Sequence, residues 1–368
     1  MIEQVKSRKP SPLLFFDQVY NAYHKAEKLS GGSNEYFYSI AQFPVRLRFA
    51  GPALISSITP ALEHLAVSFS KTPALTICVW DSVSTGTEIP SPPWNFEDYG
   101  EKGEVRGFNN DRIKTFFQLG SNALTMIDLE RNLAIFWVRS VNNLPYYIQG
   151  APLLFLFHAW FDRKGVQLVH AGALGIKSGG VLLAGKSGSG KSTICLSSVG
   201  LELRYLGDDY CLVDKKSLVL FSLYNSGKLV AADVSKFSFL NAALSNREKL
   251  NSEKGLFFLY PHFSDKLLTS APLRAILISR FGSGRLARLT PASAADALRA
   301  LAPSTIFQLP AAGTATLSAL LDIVKSVPVF YLDTPQNDFE AKGTHRIIFN
   351  SSLALFINTR QHLDQRHL

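Results

Sequence analysis

The stretch Gly-Gly-Val-Leu-Leu-Ala-Gly-Lys-Ser-Gly-Ser-Gly-Lys-Ser-Thr at residues 179–193 decides the fold expected of this chain. Residues 185–192 fit the pattern G-x-x-x-x-G-K-[ST] without exception, and the apolar run before them is typical of a buried strand. The residues after them have helical length, with Ile194, Leu196 and Val199 at apolar positions. A strand, a glycine loop and a helix in this order direct backbone N–H groups at a phosphate. The stretch therefore predicts a phosphate-binding loop (P-loop, Walker A) inside an α/β domain.

In a loop of this kind, nine residues form the nucleotide contact. They are Gly185, Lys186, Ser187, Gly188, Ser189, Gly190, Lys191, Ser192 and Thr193. The Lys191 ammonium is expected against the β- and γ-phosphates, where it neutralises charge during transfer, and the Ser192 hydroxyl is expected to bind Mg²⁺. The cofactors implied are ATP and Mg²⁺. An ordinary glycine turn would require neither the strand before the loop nor the helix after it.

Two adjacent carboxylates, Asp208 and Asp209, follow the loop after one predicted helix and the short strand Leu-Arg-Tyr-Leu at residues 203–206. Near a magnesium nucleotide, one carboxylate can bind the metal while the other accepts a proton from an incoming hydroxyl. Gly-Asp-Asp is also good turn chemistry, so the pair alone leaves a surface turn open. Beside this loop, the pair favours an enzyme, because a nucleotide-gated switch needs only the metal ligand.

Two other classes of P-loop protein do not fit the sequence. The serine- and glycine-rich loop is similar to that of ABC transporter ATPases. The look-alike of their signature, Leu-Ser-Gly-Gly-Ser at residues 29–33, precedes the loop instead of following it, and no long apolar run ending in Asp-Glu follows. GTPases are excluded because the chain contains no Asn-Lys-x-Asp motif.

The chain also carries Val-His-Ala at residues 169–171, directly before the predicted strand and loop. The order of histidine, loop and aspartate pair resembles the kinase core of HPr kinase/phosphorylase, which phosphoenolpyruvate carboxykinase shares. The resemblance implies that Ser192 and Asp209 bind the divalent metal. It further implies that Asp208 is the general base toward the substrate hydroxyl and that His170 lies beside the metal and the phosphates. Without the resemblance, His170 would be interpreted as a hydrogen-bonded histidine of a strand.

The resemblance covers about residues 165–335, with specific motifs between 169 and 209. It implies an α/β fold with a P-loop kinase core of the HPr kinase/phosphoenolpyruvate carboxykinase type. The chain departs from true HPr kinase/phosphorylase in two ways: it lacks a glycine- and arginine-rich loop, and its loop ends Lys-Ser-Thr instead of Lys-Ser-Glu. It therefore resembles more closely the HPr-kinase-like proteins encoded beside peptide-modification and surface-polysaccharide genes. Some of those proteins, in lasso-peptide pathways, phosphorylate a serine of a precursor peptide.

The first part of the chain has a different pattern. Alternating apolar and charged residues predict a strand at 45–49, and a second strand is predicted at 74–80. Two apolar runs at 124–129 and 133–138 predict a hairpin around Glu-Arg-Asn. We therefore expect a β-rich α+β N-terminal domain for recognition at residues 1–145. A linker helix at 146–164, the kinase core at 165–335 and a C-terminal extension at 336–368 would follow.

Composition restricts the partners and the location. The net charge is +9, but the basic residues are scattered and no stripe of stacking aromatics accompanies them, so nucleic acid is not expected as a partner. No run reaches the roughly 18–20 apolar residues that span a bilayer. Three cysteines are too few for a disulfide framework, and no secretory signal is visible, so a cytoplasmic location is expected. The resemblance leaves a homo-oligomer open.

The sequence therefore predicts an ATP-dependent kinase that transfers the γ-phosphoryl group to a hydroxyl, such as a serine on a peptide or protein. A nucleotide-gated binding protein with slow turnover and a kinase of a sugar or alcohol remain as alternatives. Phosphoryl transfer gains from a second cation on the transferred group. Lys254, Arg280 and Arg285 are the candidates, although each could also be a surface charge.

Overall fold

The fold was taken from a computed structural model, which describes residues 10–201, 203–282 and 287–335. Within these ranges the protein is a mixed α/β structure with several sheets. The predicted C-terminal extension 336–368 and the candidate Arg285 lie outside the described residues. Among the described residues, no helix has both the length and the apolar character needed to cross a membrane.

The first part of the chain forms one mixed sheet with helices on both faces. Its helices and strands are α1 (Pro12–Leu29), β1 (Ser33–Ile40), β2 (Phe43–Ala50), α2 (Ile55–Ile58), β3 (Ala66–Val67), β4 (Leu75–Asp81), α3 (Ser82–Thr85), β5 (Ile113–Gln118), β6 (Ala123–Asp128), β7 (Leu133–Val138), α4 (Tyr146–Gly150) and α5 (Leu154–Asp162). The seven strands are ordered β3-β1-β2-β4-β7-β6-β5, with β4 parallel to β2 and to β7. The two predicted strands and the predicted hairpin, which is β6–β7, are confirmed.

Side-chain alternation along β4 explains why both faces of this sheet are covered. Ile77 and Val79 belong to the apolar cluster that contains α5, whereas Cys78 and Trp80 belong to the cluster that contains α1. Successive side chains of a strand point to opposite faces, so a strand that is apolar throughout must be buried on both sides. The two helices supply that burial.

The predicted linker helix at 146–164 is wrong as a single element, because α4 and α5 are separate helices. Pro152 lies between them and cannot donate a backbone hydrogen bond, and Leu153 has a left-handed conformation with φ +60°. A proline also disfavours the helical conformation of the residue before it, here Ala151. The chain therefore turns at residues 151–153. The second helix is largely buried, with Leu156, Phe157, His158, Trp160 and Phe161 inside.

The second part of the chain forms a larger sheet. Its elements are β8 (Val166–Val169), β9 (Gly172–Ile176), β10 (Gly179–Ala184), α6 (Lys191–Ser198), β11 (Arg204–Gly207), β12 (Cys211–Asp214), β13 (Val219–Ser222), β14 (Ser226–Leu229), α7 (Ala231–Val234), β15 (Gly255–Phe258), β16 (Ser270–Gly282), β17 (Arg288–Ala292), α8 (Ala294–Gln308), α9 (Thr314–Ser326) and β18 (Val329–Pro335). Short 3-10 helices across the chain lie at Glu63–Leu65, Phe96–Asp98, Val141–Asn143, Ser235–Ala243, Arg247–Lys249 and Ser264–Lys266.

The long strand β16 organises this sheet, whose main order is β11-β9-β10-β16-β13-β12-β8. The first residues of β16 pair antiparallel with β13, and its later residues run parallel to β10 and β18. β17 pairs with β18, and β14 pairs with β15 in a separate two-stranded sheet. Leu182 and Ala184 of β10 pack in the cluster that contains α8 and α9, and Val181 and Leu183 pack in the cluster that contains α6.

The two parts of the chain share one apolar cluster. Phe157 and Trp160 of α5 belong to the same buried group as Leu212 of β12 and Phe221 of β13. Polar contacts reinforce this junction, since Lys102 Nζ donates to the carbonyl of Ile306 at 2.6 Å. The first part of the chain is therefore packed firmly against the second.

Candidate active site around the glycine loop

The predicted order of strand, loop and helix is present. β10 ends at Ala184, and α6 begins at Lys191. Three glycines in the loop have positive φ: Gly185 at +147°, Gly188 at +78° and Gly190 at +87°. A Cβ on Gly185 would lie 2.5 Å from Ser189 Oγ and 2.9 Å from the carbonyl oxygen of Ser279. Glycine is thus required at 185 by both backbone conformation and space.

The N-terminus of α6 has no side-chain cap. Its N-cap is Gly190, so no side chain accepts a hydrogen bond from the first-turn N–H groups. Such free N–H groups at a helix N-terminus form a ready site for an anion. Ser189 Oγ is also buried without a hydrogen-bond partner among the described residues. The loop therefore offers several donors that neighbouring side chains do not use.

The Lys191 side chain folds back over the loop that precedes it. Its Nζ donates to the carbonyl oxygens of Gly185 at 2.8 Å and Lys186 at 3.0 Å. Burial lowers the pKa of Lys191, against the opposing effect of Asp208 and Asp209. The ammonium therefore lies within the electrostatic field of both carboxylates.

The register of the second sheet explains why His170 lies beside the aspartate pair. Val169 at the end of β8 pairs with Cys211 of β12, and Ala173 of β9 pairs with Gly207 of β11. The segment 170–172 must therefore lie opposite the segment 208–210. His170 and the two aspartates are far apart in sequence. They are brought together because β8 pairs with β12 on one side of them and β9 pairs with β11 on the other.

The two aspartates have different surroundings. Asp208 is 2% exposed, its Oδ2 accepts from the backbone N–H of Lys228 at 3.1 Å, and its Oδ1 has no hydrogen-bond partner among the described residues. Burial and then the charge of Asp209 raise the pKa of Asp208, while the nearby Ser192 hydroxyl acts to lower it. Asp209 forms an ion pair with Lys228 Nζ at 2.5 Å. Burial opposes its charge, but Lys228 and then His170 outweigh that effect and hold the pKa of Asp209 below its usual range.

His170 is largely buried at the same place. Its ring lies 5.1 Å from the Tyr210 ring, edge to face, and its Nδ1 has no hydrogen-bond partner among the described residues. Burial lowers the pKa of His170 to about 4, with Asp209 acting in the opposite direction. The imidazole is therefore neutral near pH 7, with one ring nitrogen able to accept or donate a hydrogen bond.

Lys228 is the residue of this site that sequence reasoning missed. It lies on β14, which approaches α6 closely because Gly227 has no side chain: a Cβ there would lie 2.5 Å from Leu196 Cδ2. The Tyr205 hydroxyl donates to the carbonyl of Ser226 at 2.5 Å and holds the same strand. The sequence offers no motif for this lysine, and a lysine in a short polar stretch normally indicates a surface position.

The structure separates the three candidates for a second cation. Lys254 is exposed, but it is near enough to Asp209 to lower the pKa of that carboxyl. Arg280 pairs with Asp333 at 2.5 Å, and its guanidinium lies 3.9 Å from the centre of the Tyr331 ring. Both of these contacts of Arg280 are made with residues of β18. Arg285 lies outside the described residues.

The residues present fit a magnesium nucleotide. The positive-φ glycines leave room for close approach of a phosphate, and Ser189 Oγ, Asp208 Oδ1 and His170 Nδ1 are buried polar atoms without partners in the described ranges. The described residues contain no group of three or more His, Cys, Asp or Glu side chains that could hold a metal by themselves. Mg²⁺ is usually bound by one or two carboxylates together with phosphates, and Asp208 and Asp209 are the carboxylates available here.

Comparison with known proteins gives little further help. The chain matches no protein-family model and no curated protein. Among solved structures, it is similar to the Hpr(Ser) kinase/phosphatase from Coxiella burnetii, with 14% sequence identity and a TM-score of 0.29 over 55% of this chain and 96% of that chain. Similarity this weak establishes neither the fold nor the reaction of this chain, so a functional proposal has to rest on the residues of the site.

Proposed function

We propose that the protein is an ATP-dependent kinase that transfers the γ-phosphoryl group to the hydroxyl of a serine on a peptide or protein. One observation carries the proposal. Two adjacent carboxylates with opposite pKa shifts lie beside the uncapped N-terminus of α6 and its glycine loop. Paired carboxylates whose surroundings separate their pKa values are the usual means of dividing an acid–base role from a charge-holding role.

In this proposal, the loop residues 185–193 hold the nucleotide, and Lys191 leaves the carbonyls of Gly185 and Lys186 to neutralise its phosphates. Asp209, the carboxylate with the lowered pKa, binds Mg²⁺ together with the Ser192 hydroxyl. Bound Mg-ATP supplies the phosphoryl group and a metal charge that stabilises the leaving ADP. His170 lies beside Asp209 and provides a neutral hydrogen-bonding group to the metal and phosphate ligands.

Asp208 is the proposed general base, since its raised pKa favours accepting a proton. The acceptor oxygen forms a bond to the γ-phosphorus, while the bond between that phosphorus and the bridging oxygen of ADP breaks. The proton of the acceptor hydroxyl goes to Asp208, and ADP leaves with the electron pair of the broken bond. The Ser192 hydroxyl lies beside Asp208 in the structure, so the roles of the two aspartates need a direct test.

A narrow cleft lies beside the carboxylate pair, and in this proposal the acceptor hydroxyl enters through it. The cleft is lined by Gly150, Ala151, Asp208, Asp209, Tyr210, Tyr224, Ser226 and Lys228. Both aspartates and Lys228 therefore border the space that the acceptor would occupy.

The test compares Asp208→Asn and Asp209→Asn for two properties, Mg-ATP binding and phosphoryl transfer. The purified protein is incubated with γ-labelled ATP, Mg²⁺ and a lysate of its source cells. We expect Asp208→Asn to bind Mg-ATP normally and to lose transfer, and Asp209→Asn to lose the Mg²⁺-dependent part of binding. The converse pattern would exchange the two roles. Transfer that survives in Lys191→Ala would refute the nucleotide site altogether.

A specific contact also favours a second candidate, a nucleotide-gated binding protein. Asn225 directly precedes β14 and donates to the carbonyl oxygens of Ala61 and Pro60 in the first part of the chain. Nucleotide binding at Asp208 could thus alter this contact. ATP binding without label in any product would support this candidate, and label confined to a small molecule would support a sugar or alcohol kinase.

A further inference from the structure

We propose that Lys228 is the second cation of this site and that its ammonium contacts the phosphoryl group during transfer. This inference rests on the proposed function. Lys228 lines the cleft on the acceptor side, together with both aspartates. Neither Arg280 nor Lys254 lines that cleft; Arg280 is engaged by Asp333, and Lys254 is exposed.

The backbone of Lys228 is fixed to the catalytic carboxylate. Its N–H donates to Asp208 Oδ2, so the lysine and the proposed base are held at a constant separation. Ser226 Oγ donates to the carbonyl of Gly150, which ties the same strand to α4 on the other side of the cleft. Together with the packing of Gly227 against Leu196, these contacts make β14 a rigid support for the side chain.

The side chain of Lys228 is mostly but not fully buried, and its donors are only partly used. Its side chain is 14% exposed, and within the described residues its ammonium pairs with Asp209 alone. A lysine ammonium has three donors, so two remain for another acceptor. A buried cation with spare donors beside an acceptor cleft is suited to an oxyanion of the substrate.

Two lysines flank the carboxylate pair from different elements. Lys191 approaches from α6 and the glycine loop, and Lys228 approaches from β14. When Asp209 binds Mg²⁺, part of its charge is directed to the metal, and the Lys228 ammonium becomes available for the γ-oxygens. Lys191 would then neutralise the phosphates from the loop side and Lys228 from the acceptor side.

The test measures how much affinity the γ-phosphate adds. Binding of ADP and of a non-hydrolysable ATP analogue is measured by calorimetry in Mg²⁺ for the wild type and Lys228→Met. We expect the variant to lose about tenfold or more in affinity for the analogue, as for a charge-assisted hydrogen bond, and less than about threefold for ADP. Lys25→Met, at an exposed position of α1, is the matched control and should leave both affinities unchanged. Lys228→Arg keeps the charge and should retain part of the preference for the analogue.

A purely structural role would give a different result. If Lys228 only neutralises Asp209, affinity for both nucleotides will change by the same factor, and the proposal is overturned. Should Lys228→Met fail to fold, Lys228→Gln takes its place, because it removes the positive charge but keeps a polar donor beside Asp209. This variant should still reduce the preference for the analogue by about tenfold. A wild type that binds neither nucleotide would overturn the proposed function and the role of Lys228 with it.

Discussion

One buried asparagine contributes to the junction between the two parts of the chain, and its removal gives a quantitative prediction. Asn225 is fully buried. Its Nδ2 donates to the carbonyl of Pro60 at 2.7 Å, and its Oδ1 accepts from the backbone N–H of Tyr260 at 3.2 Å. We expect Asn225→Ala to remove both of these hydrogen bonds, while the backbone bond from Asn225 to Ala61 persists.

The size of the effect follows from these two contacts. A hydrogen bond contributes about 0.5–1.5 kcal/mol net, so the two bonds together contribute about 1–3 kcal/mol. His64 Nδ1 lies 3.4 Å from Asn225 Nδ2, at the long limit of a hydrogen bond, and adds little. The free energy of unfolding should therefore fall by at least about 1 kcal/mol in Asn225→Ala.

Urea unfolding followed by circular dichroism measures this quantity, with exposed Asn251→Ala as the matched control. The control should change stability by less than about 0.5 kcal/mol. A loss below about 1 kcal/mol in Asn225→Ala, with an unchanged urea dependence, would refute the reasoning. It would mean that water reaches Pro60 and Tyr260, and that the junction is more open than the structure indicates.

Two further predictions concern the loop and the response to acid. Gly185→Ala should weaken ATP binding by about tenfold or more, because the backbone at φ +147° and the carbonyl of Ser279 both oppose a Cβ. Gly188→Ala should weaken ATP binding less, because nothing lies within 4 Å of a Cβ at that position. Equal ATP affinities of the two variants in titration calorimetry would contradict this prediction. His158 has a buried Nδ1 without a partner among the described residues, and burial lowers its pKa to about 4, below the ordinary value of 6.5. The unfolded chain therefore binds the proton more readily, and stability falls as the pH drops below about 6.5. Between pH 7 and pH 5.5 this histidine should account for about 1 kcal/mol, so His158→Gln should lose that much less stability in urea unfolding over the same interval. An identical pH dependence in both proteins would rule out this source.

Local patterns in the sequence were sufficient for the elements that surround the loop. Alternating side chains predicted β2 and β4, and the glycine spacing predicted the turn between β10 and α6. These predictions hold because each depends on residues that are near in sequence. The linker helix failed where Pro152 interrupts it, although the proline was visible in the sequence.

The candidate site depended on the tertiary structure to a larger extent. The roles of Lys191, Ser192, Asp208, Asp209 and His170 remain predictions. The pairing of β8 with β12 and of β9 with β11 explains why His170 lies near the two aspartates. The partner of Arg280 was not predictable, because Asp333 lies on a strand that joins β16 through parallel pairing far along the chain. The partner of such a charged residue can be identified only when the pairing register of strands that are distant in sequence is known.

The sequence by itself determined the loop, the helix after it and the presence of two carboxylates, since these follow from glycine conformation and from short-range periodicity. The tertiary structure decided which other groups face those carboxylates. Gly227 brings β14 against α6, and through this contact Lys228 reaches Asp208 and Asp209. That contact depends on packing between elements separated by several strands, which no local pattern of residues encodes.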